Sequence, residues 1–415
     1  MVAGRSLGRP FGWLWTAYAI STLGTWLAFD AFPLIAILVL HAGPTEVSLL
    51  AAAGLAAGAA LALPLGPWLE SRSKRSVMVA MDLVRFAALM SVPAAFALGR
   101  LGFPQLLVVA IVVGAADIVF TAATGACVKA LVPPQDLLLA NGRFESTTWT
   151  ATMLGPPLGG AALAAFGPVV TVVADAAGHL LSAAGIRAMG RPDPRPEPGP
   201  APSRSRVGDL FEGWRYILTD SALRPLFLNT VLVSGLIMAT SPLLAVLMVG
   251  QLGFAPWQYA LAFAVPCVGG LIGSRLAPRL VARFGRHRVM RTAGTLRACW
   301  SLGTAFVGPG AAGLVFLMCV EFGLITCMGV FNPVFATYRL ERTPTDRVVR
   351  TLAAWSVAGK TVIALLTALW GLLAAVTGPR TAIVIAGLLM SATPLLLPRH
   401  DRTPRPGREP ARDHT

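Results

Sequence analysis

Apolar residues run along this chain in blocks of about twenty, and polar residues collect in the short stretches between them. A helix of ~20 apolar residues crosses the ~30 Å hydrocarbon layer of a membrane with its backbone polar groups satisfied internally. Twelve such blocks are predicted, at roughly 13–40, 47–69, 77–98, 105–127, 146–166, 169–190, 223–250, 258–279, 290–308, 312–338, 351–376 and 381–398. With 55% of its residues hydrophobic and 13% charged, the chain is too apolar for a soluble domain of this length. The predicted class is an all-α, polytopic membrane protein.

Charge fixes the expected orientation. With the N-terminus inside, all but five of the 34 Lys and Arg residues fall in the tails, in every second turn or at the span ends beside those turns. Arg100 and Arg380 lie in external turns, and Arg85, Arg297 and Lys360 lie within spans. This asymmetry predicts a multi-pass protein of the inner (cytoplasmic) membrane with both termini cytoplasmic. The net charge of +15 then calls for no nucleic-acid partner; contact with anionic membrane lipids is the simpler reading. The five cysteines (Cys127, Cys267, Cys299, Cys319, Cys327) lack metal-ligand spacing and are expected to pack as apolar residues. No cleavable signal peptide is expected, because the first apolar block is too long for one.

A proline-rich stretch, GRPDPRPEPGPAPSRSR from Gly190 to Arg206, cannot be helical and divides the spans six and six. The expected organisation is an N-terminal bundle over 1–186, a cytoplasmic linker over 187–222, a C-terminal bundle over 223–398 and a disordered tail over 399–415. The halves repeat. GPWLESRSKRSVMVAMDLVR, Gly66 to Arg85, matches PRLVARFGRHRVMRTAGTLR, Pro278 to Arg297, so that Val77-Met78 falls on Val289-Met290 and Arg85 on Arg297. Paired six-helix repeats are a recurrent transporter design, with the substrate site between them near mid-membrane.

The first of these loops resembles the signature between helices two and three of the major facilitator superfamily. Gly66 stands at its glycine, Glu70 replaces the usual Asp, and Arg72, Lys74 and Arg75 carry the basic end. Ser71 and Ser73 stand where Arg and Gly are usual; the second copy keeps both as Arg283 and Gly285, followed by Arg286. The resemblance implies that these loops latch the two bundles on the cytoplasmic side. LVPPQDLLLANGRFE (Leu131 to Glu145) and GWRYILTDSALRPL (Gly213 to Leu226) are similar to the efflux branch that holds macrolide efflux proteins and the enterobactin exporter. Gly155, Pro156, Gly159 and Gly160, in GPPLGG, resemble half of the helix-five Gly-Pro motif associated with antiporters.

Ionisable groups at bilayer depth are costly, so each needs a partner or a wet cavity. Asp82 and Arg85, at i and i+3 near the cytoplasmic end of span three, are expected to pair and, with Arg297, to support the latch loops. Asp175 and His179 read either as a hydrogen-bonded pair or as a proton-relay step. Asp30, Asp117, Glu321 and Lys360 form a second set. The resembled fold surrounds its central cavity with helices one, four, seven and ten, flanked by eleven, which places all four charges at one water-accessible space. They read as proton-coupling groups or, for Lys360 and a carboxylate, as a fixed bridge holding the bundles in register. Members of the branch often carry acids at the positions of Thr25 and Thr121, which this chain lacks. Trp26, Phe29, Trp149, Phe331 and Trp355 are candidates for a greasy substrate pocket, beside the commoner reading as packing aromatics. Asn332-Pro333, Pro242 and Pro266 mark expected kinks.

Gly359-Lys360-Thr361 looks like the end of a phosphate loop, but the first glycine would be Ala354 and no strand precedes it. No enzyme activity, cofactor or metal is expected. The resemblance and the charges together predict a monomeric secondary transporter that exports a hydrophobic or amphipathic small molecule, an antibiotic or secondary metabolite, in exchange for protons. The alternatives are a siderophore exporter and a non-transporting sensor or scaffold of the same fold.

Overall fold

The computed structural model describes residues 7–28, 31–40, 50, 72–190 and 211–397, and its regular structure among them is helical. The first half holds α1 (Arg9–Leu27), α2 (Ala31–Leu38), α3 (Lys74–Ala97), α4 (Phe103–Leu131), α5 (Leu137–Phe166) and α6 (Pro168–Arg187). The second holds α7 (Glu212–Thr219), α8 (Leu223–Ala245), α9 (Pro256–Ala264), α10 (Cys267–Phe284), α11 (Arg286–Gly303), α12 (Gly310–Arg342), α13 (Val348–Thr377) and α14 (Pro379–Ala392). Eleven of the twelve predicted spans are represented; the second lies outside the described residues except for Leu50. Eight helical stretches among the described residues are long and apolar enough to cross a membrane.

Local chemistry sets the helix ends. Ser73 caps α3, its Oγ accepting from the Ser76 amide. Proline opens α6 and α14, where its missing N–H is not needed. Gly285, at φ +81°, makes the sharp turn between α10 and α11 that a side chain would strain. Pro266 interrupts predicted span eight and separates α9 from α10. Pro242 lies inside α8 just before a π turn, Val246–Gln251, whereas α12 continues through Pro333. The fifth helix begins nine residues earlier than predicted, directly after a 3-10 turn at Pro134–Asp136. Within the predicted linker, α7 forms a helix that packs on α13 and α8, with Glu212 paired to Arg350 and, at 3.6 Å, to Arg347.

In the first bundle α6 packs against α1 and α3, α1 against α5, and α3 against α4. In the second, α12 packs against α10 and α11, and α8 against α13 and α14. The bundles meet along two seams, α5 with α10 and α12, and α4 with α13. The internal repeat survives in three dimensions. The Arg85 guanidinium lies 4.3 Å from the Phe120 ring centre, and Arg297 lies 3.7 Å from that of Phe331. The halves differ in what the arginine bonds. Arg85 bonds Asp82 at 2.8 Å, whereas Arg297 donates to the neutral Asn229 amide oxygen.

Candidate functional site

A chain of ionisable side chains crosses the first bundle at mid-depth. Lys360 Nζ on α13 donates to Asp117 Oδ2 on α4 at 2.8 Å, bridging the two bundles. The other oxygen, Asp117 Oδ1, is 3.7 Å from Arg85 Nη1 on α3, and Arg85 Nη2 donates to Asp82 Oδ1. Asp82 Oδ1 is 3.3 Å from His179 Nδ1 on α6, and His179 Nε2 is 3.4 Å from Asp175 Oδ1. Ser21 Oγ is 3.1 Å from His179 Nδ1, and the Thr25 hydroxyl on α1 donates to Asp175 at 3.1 Å. Burial grades along this chain. The Asp117 side chain is 46% exposed and that of Lys360 24%, but Asp82 and His179 are fully enclosed.

An imidazole between two carboxylates can donate to both only as an imidazolium; when neutral it donates to one alone. The arrangement can therefore rearrange its hydrogen bonds with a single proton. Asp82 Oδ2 has no hydrogen-bond partner although it is buried, so Asp82 retains unused accepting capacity. These contacts revise the expected grouping. Asp82 and Arg85 do pair, but they face Asp117 and His179 rather than the latch loop. The reason is depth: α3 starts at Lys74, so these residues lie about 12 and 16 Å inside the helix at 1.5 Å per residue. Thr25 itself hydrogen-bonds an acid supplied by α6.

The other predicted residues fall in several places. Asp30, Phe29, Gly66 and Glu70 lie outside the described residues. Glu321, on α12, is 6% exposed and away from the Asp117–Lys360 pair; among the described residues no hydrogen bond or ion pair satisfies its carboxylate. Phe331 and Trp355 belong to the packed core of the second bundle, so they do not line a pocket. Phe331 stacks on Phe335, and Trp355 meets Phe227 edge-on and donates to Thr230. Trp26 and Trp149 are partly buried at helix crossings. A Cβ on Gly155 would overlap Trp26, and one on Gly159 would overlap the Leu27 carbonyl, so these glycines let α5 cross α1 closely. The surroundings of Pro156 and Gly160 lie outside the described part.

The contacts described for Arg75, Arg286, Lys74 and Arg283 lie within their own bundles. Arg75 donates to the Ile186 and Arg187 carbonyls at the end of α6, while Arg286 pairs with Glu341 and lies over Tyr338 on α12. Lys74 reaches the Arg72 carbonyl at 3.3 Å, and Arg283 lies over Phe284. Other groups tie the bundles together on the linker side. Lys129 donates to the Thr343 carbonyl, Asn141 donates to the Thr337 hydroxyl, and Ser146 bonds Ser274 at 2.6 Å.

The sequence reading missed Glu145. Its Oε1 accepts from Trp149 Nε1 on its own helix at 2.8 Å and from Asn332 Nδ2 on α12 at 2.7 Å. Predicted span five starts at residue 146, one residue after it, whereas α5 starts at Leu137. The i, i+4, i+8 series Asn141, Glu145, Trp149 was the available signal.

The comparisons with known proteins fit this architecture. No curated protein sequence matches the chain. Among solved structures, a bacterial homologue of the iron transporter ferroportin, in its outward-facing state with soaked iron, superposes with TM-score 0.73 at 16% identity, over 94% of this chain and 99% of that one. The human organic anion transporter MFSD10 (TETRAN) gives TM-score 0.77 at 14% identity, over 94% and 100%. The E. coli fucose:proton symporter FucP gives 0.72 at 16%, over 94% and 98%. At such identities the likeness establishes the fold, twelve helices in two bundles. The family model described as Major Facilitator Superfamily matches residues 14–362, which includes Lys360 and every member of the charge chain; this chain is a membrane transporter of the Major Facilitator Superfamily.

Proposed function

We propose that the chain is a proton-coupled exporter of a hydrophobic or amphipathic small molecule, acting in the cytoplasmic membrane with its termini and linker on the cytoplasmic side. The observation that carries the proton coupling is the chain Lys360–Asp117–Arg85–Asp82–His179–Asp175. It runs from the Lys360 bridge to the half-exposed Asp117 carboxylate, through the enclosed His179 imidazole, to Asp175. Protonating Asp117 would release Lys360, and so loosen one seam between the bundles. Re-forming that bridge would expel the proton. Transport and protonation then share one structural event, as antiport requires. The seam bonds at Lys129, Asn141 and Ser146 hold the linker side shut, which suits a state open to the exterior.

The test is drug accumulation in an efflux-deficient bacterial host expressing the chain, with a panel of lipophilic antibiotics and dyes. Lower accumulation that a protonophore abolishes supports the proposal. A reduction that survives the protonophore refutes proton coupling.

A further inference from the structure

On the linker side, a cavity of about 480 Å³ sits in the seam between α5 and α10. Trp15, Arg143, Ser146, Ser274, Arg275 and Arg279 are among its lining residues. Arg275 and Arg279, at the end of predicted span eight, are both on α10. They are one turn apart and exposed, and neither has an acidic or hydrogen-bonded partner among the described residues. Arg143 faces them from α5, with its guanidinium 5.8 Å from the Trp15 ring centre.

The cavity lies on the side of α5 turned away from α12. On α5, Asn141 and Glu145 bond α12. Leu139 and Arg143, each two residues from one of them, point about 160° away at ~100° per residue. The α5 lining therefore faces away from α12, toward the side from which a lipid would enter. Its depth suits a headgroup: Arg143, Arg279 and Arg275 lie six, five and nine residues inside their helix ends, or about 8–14 Å, within snorkelling reach of the polar layer. Three guanidiniums over an apolar wall of Trp15, Leu139 and Pro278 offer charge to a phosphate and packing to the glycerol and first methylenes behind it.

We propose that this cavity binds the phosphate headgroup of an anionic membrane phospholipid, which thereby bridges the two bundles across the α5–α10 seam. Basic pockets between transmembrane helices on the cytoplasmic side are suited to such headgroups.

The experiment uses the full chain in a neutral detergent, with thermal unfolding followed against added phosphatidylglycerol, phosphatidylcholine or potassium phosphate. Phosphatidylglycerol is expected to raise the midpoint saturably, while phosphatidylcholine and phosphate leave it unchanged. Each arginine near an anionic lipid contributes about five-fold in affinity, so Arg275→Gln/Arg279→Gln is expected to weaken the phosphatidylglycerol response about 25-fold. Arg288→Gln/Arg291→Gln removes equal charge from exposed positions on α11 and should retain the response. Equal responses in the two double variants, or an equal effect of phosphatidylcholine, overturn the proposal. A response reproduced by free phosphate assigns the cavity to a soluble anion and overturns the lipid. If Arg275→Gln/Arg279→Gln fails to fold, retention of phosphatidylglycerol over phosphatidylcholine by the native chain, read by native mass spectrometry, decides instead. Equal retention of the two refutes the site.

Discussion

Replacing Lys360 by Met removes the charge that ties α13 to α4 while keeping an unbranched side chain of similar length. With an effective dielectric near 20, the 2.8 Å pair is worth at most about 6 kcal/mol of Coulomb attraction. Nearly half of the Asp117 side chain is open to solvent, and lysine loses rotamer freedom in the bridge. These effects reduce the net contribution to about 1–2 kcal/mol. Asp117 keeps Arg85 at 3.7 Å, so the variant should fold. The bridge belongs to the arrangement closed on the linker side, so breaking it should shift the population away from that state by roughly 5–30-fold. Spin labels at Leu98 and Val376, which are 73% and 88% exposed on the far side, report the change in a cysteine-free background. Their separation should shorten in Lys360→Met as the far side closes. A double-mutant cycle with Asp117→Asn should give a coupling of about 1–2 kcal/mol. A coupling within about 0.3 kcal/mol of zero would refute the bridge as a conformational tie.

Three further outcomes follow from the same geometry. His179→Gln retains hydrogen bonding but cannot take up a proton; downhill substrate exchange should persist while pH-gradient-driven transport is lost, and unchanged gradient dependence would count against the relay. Glu145→Leu strands the Trp149 and Asn332 donors at the seam and should cost about 1–3 kcal/mol of stability, whereas Glu145→Gln, which keeps an acceptor, should unfold near the native temperature. Gly155→Val drives a branched side chain into Trp26 and should destabilise the α1–α5 crossing by about 1–3 kcal/mol, read as a lower midpoint of thermal unfolding.

The sequence made the spans, the repeat and the buried charges legible because each is set by transfer out of water. Arg85 and Arg297 could be matched by position, and the structure gives both the same stacking on an aromatic ring. Helix rotation was not legible. A soluble helix shows its inward face by an apolar stripe, but here lipid and protein core are equally apolar, so α4 and α12 carry almost no such phase. Phe331 and Trp355 could therefore be placed at depth but not assigned to core or cavity. The same missing phase separated Asp82–Arg85 from Asp175–His179, which the packing of α3 on α6 brings together. Glu145 was lost to a boundary error of nine residues, the usual weakness where a helix extends past its apolar block.

The most direct test of proton-coupled export is proton movement in everted membrane vesicles loaded with a pH-sensitive dye, on addition of a compound that the chain expels from cells. The account predicts that the compound collapses part of the imposed pH gradient with the native chain, and that Asp117→Asn removes this response although the protein remains in the membrane. Transport of the compound without proton movement, or an undiminished proton response in Asp117→Asn, would contradict it.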